Sequence, residues 1–421
     1  MMFPPGARSR LLPMSLPFRF FGAAVVFQLA AWGVLFAFPS ELISFEGGLG
    51  PVFAALHLVT LGVLAMTAVG ATLQLLPVAT RQPVRSLGAA KLVWWLLVPG
   101  VAVFAGGAAA YAPGTMGIGA MLTVLALAIY AVLLAANLRG ARGMKGVVAH
   151  GWAALACLAL LAATGLALAA RFEHGFALDH AAFRAAHLVL ATYGFMGLLA
   201  IGLSNFLLPM LAVAPTPPAP IAYAVLITAI AGIAAALLGY ALAAALLGLA
   251  AAVVHTVALE RALRARLRPA LGTGFPLVRV SWICLVASLA MALAMALEIA
   301  PPRALLLFGL LLVPGWLLTF LLGVLQRIVP FLASVHGSTA SRGTPLISAL
   351  TPGPLLAAHQ VLHVAAVAAL LIAALLGEPW LVRAGAAAGL AGAVVFAAFF
   401  SFVLVKVRQH GIQPPHQPAT A

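Results

Sequence analysis

The chain has 421 residues, of which 65% are hydrophobic and 7% charged, and its mean hydropathy is +1.18. Soluble domains carry roughly 45–50% apolar residues, so this composition excludes a soluble globular protein and specifies a polytopic membrane protein embedded in a lipid bilayer. The formal net charge of +15 is spread over connecting segments instead of forming one patch, so it is a topology signal and not a nucleic-acid-binding surface.

A hydrocarbon layer of ~30 Å requires about 20 apolar residues per crossing, and about twelve runs meet that length. In chain order their cores are 18–39, 51–78, 89–112, 116–138, 147–170, 181–213, 221–238, 241–263, 275–299, 304–332, 355–376 and 381–405. The first run follows basic residues, as a secretory signal would, but it is too long for one and has no clear small-residue cleavage site, so it is expected to be a retained span. Loops are expected at 80–90, 172–180, 216–220 and 334–353, and a disordered tail at 409–421. Cys157 and Cys284 fall inside spans without CxxC spacing, which argues against a disulfide framework or a thiolate metal site.

The charges sort by side. Arg8, Arg10, Arg81, Arg85, Lys91, Arg139, Arg142, Lys145, Arg261, Arg264, Arg266, Arg268, Arg342, Lys406 and Arg408 fall on one side of a twelve-span topology. Glu41, Glu46, Glu173, Asp179, Glu298 and Glu378 fall on the other, leaving Glu260 with the basic set. Basic residues are retained on the cytoplasmic side during insertion. Both termini are therefore expected in the cytoplasm, and the chain in a bacterial inner membrane.

A skeleton recurs in the second, sixth and tenth spans. Gly62, Gly70 and Pro77 have the same spacing as Gly194, Gly202 and Pro209, and as Gly315, Gly323 and Pro330. An amide side chain precedes each proline, at Gln74, Asn205 and Gln326. Three copies argue for an internal threefold repeat. The expected fold is all-α, with about twelve transmembrane helices in three pseudo-repeated four-helix blocks near 17–140, 144–268 and 274–407, all in a single transmembrane domain.

Polar groups inside spans are candidates for function. At ~100° per residue, His57, Thr60, Thr67 and Gln74 form one stripe that should face the bundle centre. His187 and Asn205 lie on one line of the sixth span, about 27 Å apart, and His180, Arg184 and His187 share a face at its outer end. His57 and His187 sit at matched depth in the outer third. Imidazoles so placed could ligate haem iron or copper, or each could donate a hydrogen bond to a neighbouring helix. His359 and His363, at i and i+4, could clamp a metal or lie at the lipid interface, and the structural role is the preferred one; His150 and His255 enter their spans at similar depth. Gln326 and Arg327 are expected to reach toward the cytoplasm, an anion contact being the sharper alternative. Thr60, Thr67, Tyr193 and Ser204 could pass protons or simply join helices. With acidic residues only near span ends, at Glu260 and Glu298, a carboxylate proton relay is not expected.

The spans HLVTLGVLAMTAVGATLQLLPV and AHLVLATYGFMGLLAIGLSNFLLPM, set in three four-helix blocks, resemble subunit I of haem–copper oxidases and nitric oxide reductases, above all their short NnrS-like relatives. The resemblance implies a haem ligand at His57 and a copper ligand at His187. The family's histidine pair of the seventh span has no counterpart in IAYAVLITAIAGIAAALLGY, nor has that of the tenth in LLLFGLLLVPGWLLTF, so a complete oxidase is not expected. What is implied is a haem- and/or copper-binding protein of respiratory or nitric oxide metabolism, with nitric oxide or oxygen as ligand and a respiratory complex as partner. Thr60, Thr67, Gln74, Tyr193 and Asn205 are the expected surroundings of the cofactor. The competing readings are a transporter or channel for a small solute or metal ion, and a cofactor-free assembly partner of a membrane complex.

Overall fold

In hydrocarbon every backbone N–H and C=O must bond within its own segment, so long apolar runs fold as helices. A computed structural model of the chain describes residues 11–175, 179–337 and 343–412. Among these, twelve helices are long and apolar enough to cross a membrane. They are α1 Ser15–Ala37, α2 Pro51–Thr80, α3 Leu87–Ala109, α4 Pro113–Arg139, α5 Lys145–His174, α6 His180–Ala212, α7 Ala219–Leu237, α8 Ala241–Arg264, α9 Phe275–Ala296, α10 Ala304–His336, α11 Gly353–Leu376 and α12 Pro379–Ile412. The expected all-α, twelve-span fold is what forms. Helix α12 runs through Ile412, so 409–412 extend the last span, while 413–421 lie outside the described residues together with Arg8, Arg10 and Arg342 of the charge pattern. Helix α5 likewise reaches into the expected loop at 172–180, as far as His174.

The helices carrying the repeated skeleton are the inner ones. The most apolar stretches of α2, α6 and α10 are 67%, 61% and 61% buried, against 28–44% for the other nine, which present more surface to lipid. In each block the first helix packs on the second and the third on the fourth; α4 joins α5, α8 joins α9, and α12 returns to α1, closing a ring. At the centre, the middle of α10 touches the middles of both α2 and α6.

The skeleton glycines mark where the first helix of each block meets the second. A Cβ on Gly62 would stand 2.7 Å from Phe27, one on Gly194 2.9 Å from Cys157, and one on Gly315 3.1 Å from Cys284. Seven residues earlier on those first helices, Phe20, His150 and Leu277 would stand 2.6, 2.5 and 3.1 Å from a Cβ on Gly70, Gly202 and Gly323. Small residues permit such close backbone approach between membrane helices. Cys157 and Cys284 thus take the place in their blocks that Phe27 takes in the first, a packing role.

The three inner helices share one further feature. Each changes from α- to π-helical winding over the same eight positions, Leu58–Ala65, Leu190–Gly197 and Leu311–Leu318, each opening four residues before the first skeleton glycine. Such windings are rare and concentrate at functional sites. Here they border the central cavity.

Candidate functional site

Between the N-terminal halves of α2, α6 and α10 lies a cavity of about 930 Å³, walled mainly by Leu and Ala, with Gly, Phe and Val. Ligand sites typically span about 300–1,000 Å³ with apolar walls and a few placed polar groups. The polar side chains reaching this one include His57, Thr60, His187, Tyr193, and, toward the α6 N-terminus, His180 and Arg184.

His57 is held by its own helix. Its Nδ1 lies 3.0 Å from the Phe53 carbonyl oxygen, so a neutral ring donates from Nδ1 and keeps its lone pair on Nε2. Phe53 and Phe104 pack on the ring at centroid distances of 4.3 and 4.9 Å. His187 turns its Nδ1 edge toward α5, where Nδ1 is 3.4 Å from Thr164 Oγ1, whose hydroxyl in turn donates to the Leu161 carbonyl at 3.0 Å. Gly165 makes room for it, since a Cβ there would sit 3.1 Å from His187 Cε1. The two rings are near enough for the charge on one to act on the other. Among the described residues neither Nε2 has a hydrogen-bond partner.

Tyr193 ties the site to the third block. Its ring stacks on Trp316 with centroids 5.6 Å apart, and its hydroxyl meets Ser288 Oγ at 3.1 Å. Thr60 spends its hydroxyl on the Leu56 carbonyl at 3.0 Å, as its repeat counterpart Thr192 does on Leu188 at 2.7 Å. At the rim Arg184 donates to the Glu46 carbonyl at 2.6 Å, lying against Gly47, whose φ of +107° suits glycine.

Three expected members lie elsewhere. Thr67 is buried without a partner, Gln74 bonds His336 at 3.1 Å, and Asn205 is half-buried away from the cavity. Thr67 and Gln74 are buried in the bundle as the stripe required, but they lie deeper along α2 than the cavity, which borders the π-helical stretch Leu58–Ala65. The repeat register also separates the two histidines: Val189, not His187, takes the place of His57 relative to its glycine, so the pairing in the cavity is tertiary and not a product of the repeat.

His359 and His363 are not at the lipid interface. Both are buried on α11, where Gln326 Nε2 lies 2.8 Å from His359 Nδ1, and Thr319 Oγ1 2.8 Å from His363 Nε2. Gln326 also accepts from Gln360 at 2.8 Å, so it is locked in the bundle and does not reach the cytoplasm. His255 meets Ser204 at 3.2 Å, and His150 packs against Gly202. No group of three or more His, Cys, Asp or Glu side chains able to hold a metal occurs among the described residues. Sequence reasoning missed Phe53, Phe104, Thr164, Gly165 and Trp316. In an apolar span such residues look like generic packing, and only the position of Trp316 beside Gly315 offered a signal.

No known protein-family profile matches the chain, and no curated protein matches it. Among solved structures, the fold is similar to a chain from the cryo-EM structure of a heme-copper terminal oxidase dimer, with a TM-score of 0.63 and 12% identity over 97% of this chain and 86% of that one. The two chains therefore share a fold. Likeness at this level of identity fixes the architecture, and function has to be argued from the site.

The donor set can be tested against the groups such a fold implies. Two imidazoles from different helices, each with Nδ1 turned into the protein and both lining one apolar cavity, are residues that would hold a haem iron. A three-histidine copper centre finds no third ligand among the described residues.

Proposed function

We propose that this protein binds haem through His57 and His187 and serves respiratory or nitric oxide metabolism in a bacterial inner membrane, with both termini cytoplasmic. One observation carries the reading: both histidines, from α2 and α6, face one large apolar cavity with Nδ1 directed into the protein and Nε2 unbonded. Hydrogen bonding at the far nitrogen fixes the tautomer and raises ligand basicity. The Phe53 carbonyl does this for His57, and Thr164 for His187. Phe53 and Phe104 keep water from the His57 ring, and Arg184 brings a cation to the rim, suited to the carboxylates of a haem. A bound haem would supply electron transfer; held by only one of the two histidines, it would instead bind nitric oxide or oxygen. A respiratory complex is the natural redox partner for such a protein. The apolar lining gives little support to a route for a polar solute.

The test is an oxidised and reduced optical spectrum of detergent-purified protein, as isolated and after incubation with hemin, with His57→Ala and His187→Ala alongside. A Soret band is expected in the wild type that shifts or disappears in each variant, while both variants still elute as monodisperse protein. Wild-type protein that remains colourless after hemin addition would overturn the proposal, as would variants with unchanged bands.

A further inference from the structure

Of the 7 acidic residues, Glu41, Glu46, Glu173, Asp179, Glu298 and Glu378 all flank the ends of helices on one side of the bundle. Glu260 alone stands on the side that carries most of the arginines. It is already engaged: Arg279 bonds it twice, at 3.2 and 2.9 Å, and Arg264 approaches to 3.5 Å. No carboxylate is left for the other cations there.

One of those cations differs from the rest. Arg327 stands on the inner helix α10, half-buried against the segment joining α8 to α9. Gly272 and Gly274, with φ of +78° and +91°, let it lie close: a Cβ at Gly272 would be 3.0 Å from its Nη1, and one at Gly274 3.3 Å from its Cγ. Its Nε is buried with no acceptor among the described residues, and the neighbouring Thr273 hydroxyl is likewise buried with no partner among them. Arg268 is near enough for the two like charges to act on each other. Arg266 is occupied in shaping the turn, donating to the carbonyls of Leu263 and Pro269 at 3.2 Å each. Helix α9 opens at Phe275 with no side-chain cap.

Buried donors without acceptors are costly, and two adjacent guanidiniums repel unless an anion joins them. Leu267, between Arg266 and Arg268, is 84% exposed. An exposed leucine flanked by arginines at the end of a span is suited to the boundary between headgroups and acyl chains. We propose that Arg327, Arg268 and the turn carrying Thr273 bind the phosphate of an anionic phospholipid headgroup, with Leu267 set into the acyl boundary. The site is independent of the haem cavity and does not rest on haem binding.

Native mass spectrometry of the protein released from nanodiscs of phosphatidylglycerol and phosphatidylcholine tests this directly. The wild type should retain phosphatidylglycerol selectively. Arg268→Gln and Arg327→Gln should each weaken retention about five-fold and the double variant about twenty-five-fold, from the typical contribution of one arginine near an anionic surface. Arg139→Gln, which removes a cation from the end of α4, should leave it unchanged. Equal retention by the double variant, or an equal loss with Arg139→Gln, would overturn the site. Saturable binding of inorganic phosphate that displaces the lipid would assign the same residues to a soluble anion and overturn the lipid assignment.

Discussion

Gly202→Ala is the sharpest probe of how the blocks are assembled. The new Cβ would fall 2.5 Å from His150 Cβ and 3.0 Å from His150 Cγ, whereas carbon atoms pack at about 3.5–4.0 Å. His150 Cβ is fixed to the backbone of α5 and cannot rotate away, so α5 and α6 must separate by roughly 1 Å. Overpacking of this kind costs about 1–3 kcal/mol, offset by at most ~1 kcal/mol from the better helix propensity of alanine. The net loss of about 1–2 kcal/mol should lower the thermal transition in detergent by a few degrees. It should also disturb the α5 wall behind His187. Gly33→Ala is the matched control, because nothing lies within 4 Å of its Cβ position, and it should melt at or above the wild-type temperature. His150→Ala retains the offending Cβ and should not rescue Gly202→Ala, whereas His150→Gly should. If Gly202→Ala melts with the wild type, or if His150→Ala rescues it, the close-approach account of the skeleton glycines is wrong.

Two further outcomes follow from the polar pairs. Thr319→Val leaves buried His363 Nε2 without its 2.8 Å partner and should cost about 1–3 kcal/mol; with Phe at 363 as well the double variant should recover part of that, and additive losses in a thermal double-mutant cycle would refute a direct bond. Glu260→Gln removes the negative charge and one of the two oxygens that accept from Arg279, but the Arg279 and Arg264 side chains are 47% and 77% exposed, so stability should fall by less than ~1 kcal/mol, and a large drop in melting temperature would show that the pair is buried in an interface.

Composition and the spacing of apolar runs are properties of the linear chain, because a bilayer demands about 20 apolar residues for each crossing, and so the twelve spans were readable without coordinates. So was the recurring spacing of Gly62, Gly194 and Gly315, although only the structure shows that these glycines, unlike Gly33, admit a neighbouring helix, at Phe27, Cys157 and Cys284. What the linear chain could not encode was placement. Thr67 and Gln74 are buried in the bundle, yet they lie below the cavity, whose depth no periodicity could give. Gln326 looked like an interfacial side chain, yet α11 brings His359 and Gln360 against it and buries it. That His57 and His187 face one cavity, though two residues out of register in the repeat, depends on how α2, α6 and α5 pack. Periodicity belongs to one helix at a time, whereas a site belongs to several, and their relative rotation is set by side-chain contacts between segments far apart in sequence.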